Sequence, residues 1–473
     1  MPFTSFKADL ANHVAKGTLG PDIIGDGVMI PGFKGEVPLV YADYVASGRA
    51  MHSVERFIAA QVLPFYANSH TEASYCGQYI TQLRRAARAE IAQACGARPR
   101  DAVIFTGSGA TAGLNRLVSL FGVNEARDPV VFIGPYEHHS NILPWRESRA
   151  KVVEIPEGAR GGVDLAALAQ ALRDNACSDV MIGSFSAVSN VTGIVTDPDP
   201  VSQLLRAHGA KVVWDYAGGG PYLPIDMGAY GGAPKDAVVV SPHKFPGGPG
   251  ASGVLLVNQD AVVAQSPSWP GGGTVRFVSP WRHDYSADLV AREEAGTPNV
   301  IGDIRAALAF LVKAAVGHPE IAARENRFAR LAWDAWGAHP QITILGSDVA
   351  HRLPIFSFMV RDRAGDAVHQ QLFTRMLSDV YGIQARGGCA CAGPYAHRLL
   401  GIDAAASDAL FQRLEAGEEL EKPGWVRLNF SYLMTPQTVR YILASVVELA
   451  ENVERYLSSY RADPATARFK CAS

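Results

Sequence analysis

Apolar positions fall into two regimes along the chain. From about residue 80 to 260, short unbroken apolar runs alternate with stretches whose apolar residues recur every three or four positions. The runs AVIFTG (102–107), PVVFIG (129–134), KVVEIP (151–156), DVMIGSFS (179–186), KVVWD (211–215), DAVVVS (236–241) and ASGVLLV (251–257) predict strands buried on both faces. ITQLRRAARAEIAQACG (80–96) and LAALAQALRDN (165–175) predict helices between them. This alternation is the signature of an α/β domain with a mostly parallel sheet covered on both sides. After about residue 300 the texture changes. A helical stretch over 301–317 leads to strands LPIFSFMV (353–360) and WVRLNFS (425–431), and a helical pattern closes the chain over 435–460. The expected organisation is an N-terminal segment (1–50) packing on the small domain, a large α/β domain (51–310) and a smaller α+β domain (311–473).

Composition narrows the function classes. With 473 residues the chain is long enough for two or three lobes. Apolar residues at 48% and charged residues at 19% are an ordinary globular balance. A net charge of −3 without a basic block argues against nucleic acid as a partner. No apolar run reaches the roughly 18 residues of a membrane span, and the N-terminus shows no signal-peptide pattern. Cys471, followed by Ala472 and Ser473, does not stand where a prenylation box needs its cysteine. Cys76, Cys95, Cys177, Cys389, Cys391 and Cys471 are too scattered for a disulfide framework and fit a reducing cytoplasm.

Three segments carry chemistry at predicted strand ends, where open α/β sheets place their ligands. FTGSGATAGLN (105–115) is a strand, a glycine turn and a helix start, which is either a phosphate cradle or a structural turn. In KVVWDYAGGG (211–220), Asp215 emerges at a strand end, and a buried aspartate there needs a positive or hydrogen-bonding partner. A pyridinium nitrogen would serve, and the pairing would strengthen a cofactor as an electron sink; a turn cap is the alternative. In VVVSPHKFPGGPGASGVLLV (238–257), Lys244 sits in a rigid Gly/Pro loop suited to a Schiff-base lysine, with Ser241 and His243 able to hold a phosphate.

Taken in order, GATAGLN, EHHSNILPW (137–145), VSNVTGIV (188–195), WDYAG (214–218), SPHK (241–244), EAGTPN (294–299), RGGCACAGP (386–394) and VRLNF (426–430) resemble class V aminotransferases, and within them the cysteine desulfurase and selenocysteine lyase branch. The resemblance spans roughly residues 40 to 450. The cysteine loop and HRLLGI (397–402) also resemble the N-terminal domain of molybdenum-cofactor sulfurases. The family implies a fold-type-I homodimer with pyridoxal 5′-phosphate as cofactor and an amino acid as substrate. It implies that Lys244 anchors the cofactor and moves the Cα proton, that Asp215 pairs with the ring nitrogen, and that His138 stacks on the ring while Ala217 packs against it. Asn190 would meet the phenolic oxygen. The phosphate would lie against Ala110, Thr111, Ser241 and His243, with Thr297 supplied by the partner subunit. Arg427 would grip the substrate carboxylate, and Arg386 is a second cation there, able to favour a thiolate.

Cys391 matches the family's nucleophile, which takes sulfur as a persulfide that an acceptor protein then removes. Cys389 falls where desulfurases often carry a histidine, close enough to receive sulfur or to shield the thiolate. Gly218 replaces a glutamine usual in desulfurases and is expected to leave more room beside the substrate. The expected reaction converts L-cysteine, or a close relative, to alanine and a persulfide on Cys391. The rivals are β-elimination at a C–S bond, epimerisation or amino transfer on the same scaffold, and a non-catalytic sulfur carrier or metal binder using Cys389 and Cys391. No second cysteine pair or spaced histidine set completes a metal site, so none is expected.

Overall fold

The computed structural model describes residues 2–68, 72–346 and 351–471, so Ala472 and Ser473 of the C-terminal motif lie outside the described residues. The chain divides into two compact units. The larger takes the residues up to Ile24, Ser47–Val188 and Thr196–Glu320. Its seven strands are β1 (Asp101–Gly107), β2 (Pro129–Ile133), β3 (Lys151–Glu154), β4 (Val180–Ser186), β5 (Lys211–Asp215), β6 (Ala237–Val240) and β7 (Gly253–Asn258). Each falls within a predicted apolar run or one residue beyond it. The spatial order is β1-β7-β6-β5-β4-β2-β3.

Only β7 runs against its neighbours; it pairs antiparallel with both β1 and β6, and the remaining pairs are parallel. The other six strands therefore point the same way, and their C-terminal ends share one edge of the sheet. Every residue of β2 and β6 is buried, as strands covered on both faces require. Helix Gly109–Leu120 lies close on this sheet, and a Cβ at Gly113 would come within 2.8 Å of Val239 Cγ1.

The first helix, Thr4–Lys16, belongs to the large unit, and Phe3 and Phe6 pack on Phe57 at ring distances of 5.7 and 5.4 Å. This corrects the expected N-terminal segment. Only Gly25–Ala46 joins the small unit, because aromatic side chains tie the first helix elsewhere. The boundary expected at 310 also moves. It falls inside helix Val300–Val316, whose buried face binds it to the large unit as far as Glu320.

The small unit takes Gly25–Ala46, Ser189–Val195 and the chain from Ile321 onward. Its sheet contains β8 (Ile342–Ile344), β9 (Ile355–Arg361), β10 (Arg386–Gly388) and β11 (Trp425–Asn429), in the order β8-β9-β11-β10 with all pairs antiparallel. Trp336, fully buried, contacts the rings of Phe356, Phe358 and Phe430 at the centre of its core. The closing helical pattern is shorter than expected. Helix Pro436–Asn452 and the turn Glu454–Leu457 are followed by a hairpin of Tyr460–Asp463 with Arg468–Cys471. Ser458 and Ser459 interrupt the apolar stripe and Asp463-Pro464 favours a turn. Among the described residues no helix is long and apolar enough to cross a membrane.

Candidate active site

The strand ends of the large unit converge on a cradle. After β1, Gly107 and Gly109 take φ of 81° and 60°, a left-handed conformation natural to glycine, and helix Gly109–Leu120 starts without a side-chain cap. Its first N–H groups are therefore available to an anion, apart from Ala110 N, which donates to Ser241 Oγ at 2.9 Å. A Cβ on Gly109 would lie 3.0 Å from Ser241 Oγ and 3.8 Å from the His243 ring, so Ala110, Ser241 and His243 come together here. Burial, helped by the Lys244 charge, pushes His243 down to about 4, so it serves as a neutral hydrogen-bonding group.

Thr111 and His138 are joined through Ser140. The Thr111 and Ser140 hydroxyls lie 2.7 Å apart, and Ser140 Oγ is 3.0 Å from His138 Nδ1. Ser140 N also donates to Nδ1 at 3.1 Å, which makes this nitrogen an acceptor and fixes the ring. The loop beneath is anchored by Glu137. Its Oε1 accepts from Gly134 N and Ser186 N, and its Oε2 from Ser186 Oγ and Asn141 Nδ2. Burial pushes the Glu137 carboxyl up to about 7 against these donors, and nearby Asp215 adds to the rise. The sequence reading passed over Glu137; its only local signal was its place immediately before His138.

Asp215, buried at the end of β5, accepts from Ala217 N through Oδ1 at 2.7 Å. Among the described residues its other oxygen has no hydrogen bond. Burial raises its carboxyl, while the Ala217 N–H and the charge of Lys244 pull the other way. Lys244 ends the short turn Pro242–Lys244 after β6. Two glycines close this turn by backbone approach: a Cβ on Gly48 would fall 1.9 Å from Phe245 O, and one on Gly248 would fall 1.9 Å from Pro242 O. A buried carboxylate with one oxygen to spare, a lysine within its field and a helix start with free N–H groups fit pyridoxal phosphate. A Cβ at Gly218 would meet Val188 Cγ1 at 3.1 Å, so Val188 narrows the space expected there.

The small unit holds the thiols and the arginines. Ala392 N donates to Cys389 O at 3.3 Å, and Ala390 and Cys391 both take φ of 56°, which makes the tip of the cysteine loop a type I′ turn. Two non-glycine residues in this conformation store roughly 1–2 kcal/mol each. Asn190 Nδ2 donates to Ala390 O at 2.8 Å and holds the turn, while Asn190 Oδ1 is buried without a partner. Asn190 O accepts from Arg427 Nη1 at 3.2 Å. Arg427 is buried on β11, and its Nη2 meets Asp43 Oδ1 at 2.8 Å. Burial lowers the Arg427 pKa, Asp43 opposes this, and Cys391 lies within its electrostatic reach. Arg386 Nε meets the other Asp43 oxygen at 3.0 Å. Asp43, like Glu137, was not singled out in the sequence.

Thr297 is exposed in the large unit and lines a cleft of about 380 Å³ with Trp269 and Gly107. Its loop is held by Glu294, which pairs with Arg84 at 2.5 Å and Arg88 at 2.9 Å and accepts from Phe105 N at 2.8 Å. Among the described residues no group of three or more His, Cys, Asp or Glu side chains is placed to hold a metal.

The family model for class V aminotransferases matches residues 40–440. A probable cysteine desulfurase of Vibrio cholerae is 30% identical over 365 residues, covering 76% of this chain and 85% of that protein. A cysteine desulfurase of Salmonella agona is 29% identical over 364 residues, with the same coverage. Among solved structures, the apo cysteine desulfurase of Thermococcus onnurineus superposes with a TM-score of 0.72 at 22% identity, covering 87% of this chain and 94% of that one. The S-sulfonic acid form of the Escherichia coli cysteine desulfurase CsdA gives 0.67 at 24% identity, covering 87% and 95%. These two share the fold: a large, mostly parallel-sheet domain and a smaller α+β domain.

Glu137 sets a pH dependence of stability. Its folded pKa, about 7, lies above its ordinary 4.5. The folded state therefore keeps a proton that the unfolded chain releases, and stability is lost as pH rises between those values, by on the order of 3 kcal/mol. Urea titration of cofactor-free protein should show this loss between pH 4.5 and 8, and Glu137→Gln should lack it. A pH-independent gap between the two proteins would mean that Glu137 is ionised throughout.

Proposed function

The chain belongs to the class V aminotransferase family, and from that premise we propose that it is a pyridoxal-phosphate cysteine desulfurase, which converts L-cysteine to alanine and passes the sulfur to a thiol of its own. The observation that carries this reading is the buried Asp215 at the end of β5, with one oxygen unspent and Lys244 in its field. When bound, pyridoxal phosphate supplies an electron sink that weakens the Cα–H and Cβ–S bonds of an amino acid.

The side chains divide the remaining work. Lys244 anchors the cofactor and carries the proton from and to Cα. Asp215 answers the charge of the ring nitrogen through its free oxygen. His138, its Nδ1 already engaged by Ser140, presents a fixed ring for stacking, with Ala217 as packing. The N–H groups at the start of helix Gly109–Leu120, the Thr111 hydroxyl, Ser241 and neutral His243 hold the phosphate. Asn190 keeps one amide hydrogen and its unpartnered Oδ1 for a ligand. Arg427 and Arg386 take the substrate carboxylate. Cys391 is the nucleophile: its thiolate bonds to the departing sulfur, the Cβ–S bond breaks, Cβ gains a proton and a persulfide remains.

The active form is a homodimer in which Thr297 reaches the partner's phosphate. Its exposure supports this, as do exposed Trp269, Phe277, Val278 and Trp281 in the same unit, an apolar surface that a lone chain would leave in water. A sulfur-accepting protein is expected to discharge the persulfide. Six cysteines with no disulfide among the described residues favour a reducing compartment, and we place the enzyme in the cytoplasm.

Lys244→Ala should lose the visible absorption of bound cofactor and cut alanine formation by roughly 10²–10⁴-fold or more, because one amine anchors and transfers protons. Near wild-type turnover in that variant would refute the assignment. Cys391→Ala should abolish persulfide formation while keeping the cofactor spectrum, and Cys389→Ala should retain at least part of the activity. Mass spectrometry after brief exposure to cysteine checks this: sulfur on Cys389 in the Cys391→Ala protein at the wild-type rate would reverse the roles. If neither change slows turnover, with pyruvate and ammonia as products, the reaction is elimination. Sedimentation should show a dimer that Trp281→Glu weakens; a fully active monomer would remove Thr297 from the site.

A further inference from the structure

Asp43 is delivered to its place by hydrogen bonds on both sides of its segment. Asn429 N donates to Ala42 O at 2.9 Å and Val45 N donates to Asn429 Oδ1 at 3.1 Å, which pins the segment to β11. On the other side Ala42 N donates to Gln384 O at 3.0 Å, just ahead of β10. The carboxylate therefore meets Arg386 and Arg427, which stand directly opposite each other in the β10–β11 ladder. Like charges so placed repel. Asp43 gives one oxygen to each, Oδ1 to Arg427 at 2.8 Å and Oδ2 to Arg386 at 3.0 Å. With Asn190 O on Nη1, the Arg427 guanidinium is fixed at two corners while its Nε stays buried and unpaired.

We infer that Asp43 is a positioning residue that also sets specificity. It locks the two arginines in register and reduces their combined charge to that of a single cation. The site it leaves suits an amino acid with one carboxylate and no second anionic group. Asp43 acts through the arginines and touches no substrate. The inference rests on the proposed function only in taking these arginines as the carboxylate site.

The test compares L-cysteine with L-cysteine sulfinate, whose side chain carries a second negative charge, on the wild-type holoenzyme and on Asp43→Asn and Asp43→Glu. In Asp43→Asn, KM for cysteine should rise about tenfold with kcat within about threefold, because orientation is lost in binding. The ratio of kcat/KM for the sulfinate to that for cysteine should rise about tenfold or more, because the site gains a full positive charge. Asp43→Glu should return both values toward wild type. Arg386→Gln, a change at a half-exposed side chain, keeps the fold testable if Asp43→Asn does not fold, and it must move the ratio the opposite way. An unchanged ratio in whichever of these proteins folds, or a KM for cysteine that falls in Asp43→Asn, overturns the inference. If the wild type makes no alanine from cysteine, the desulfurase reading fails on its own. The charge argument is then read from the binding of the two amino acids, through the cofactor spectrum, with the same expected ratio.

Discussion

A carboxylate removed from water must be answered by a proton, a cation or several donors, and the buried Asp215 imposes that demand on the large unit. One of its oxygens is satisfied by Ala217 N; the rest of its charge falls to Lys244 and to whatever cation binds. A second acid, Glu137, is buried within its field, and two adjacent anions would be costly. Glu137 resolves the conflict with four donors and a pKa raised to about 7, so that near neutrality it gives up part of its charge and keeps its hold on the loop of His138. The strand edge is thus a low-dielectric place with negative charge in excess, the environment a protonated pyridine nitrogen requires.

The two chemically loaded turns solve opposite problems. The Lys244 turn must be rigid, and two close backbone approaches at Gly48 and Gly248 make it so; any side chain there would collide with a carbonyl oxygen. The cysteine turn places non-glycine residues where glycine would sit without strain, with Cys391 at its third position. The strain is tolerated because Asn190 holds Ala390 O and helix Gly393–Leu400 starts directly behind. On the proposed function the Cys391 thiol is discharged after each turnover, and a turn held by the Asn190 hydrogen bond suits such a group.

The seven strands of the large sheet and β9 and β11 of the small one were legible because continuous apolar runs need no distant partner to be recognised, whereas the short β8 and β10 carry no such run. Asp215 and Lys244 stood out because they follow such runs. What stayed hidden depends on partners remote in the chain. Asp43 meets Arg427 across 384 positions, Glu294 meets Arg84 across 210, and Glu137 meets Ser186 across 49. No local pattern distinguishes these acids from solvated ones. The division of the N-terminal segment was hidden for the same reason, because rings of Phe3 and Phe6 choose Phe57 rather than the small unit. The C-terminal hairpin was masked by helical periodicity that runs on to Leu457 before the serines break it.

The two units carry charge surpluses of opposite sign. In the large unit the buried surplus is negative, Asp215 and Glu137 facing Lys244, and a cationic nitrogen is what it can stabilise. In the small unit the surplus is positive, Arg386 and Arg427 facing Asp43, and an anion is what it can stabilise. On the proposed function the cation is the cofactor's ring nitrogen and the anion is the substrate carboxylate. Each unit is then answered by its own ligand group, and neither surplus has to be cancelled within the chain, where a buried charge left without a partner would cost stability.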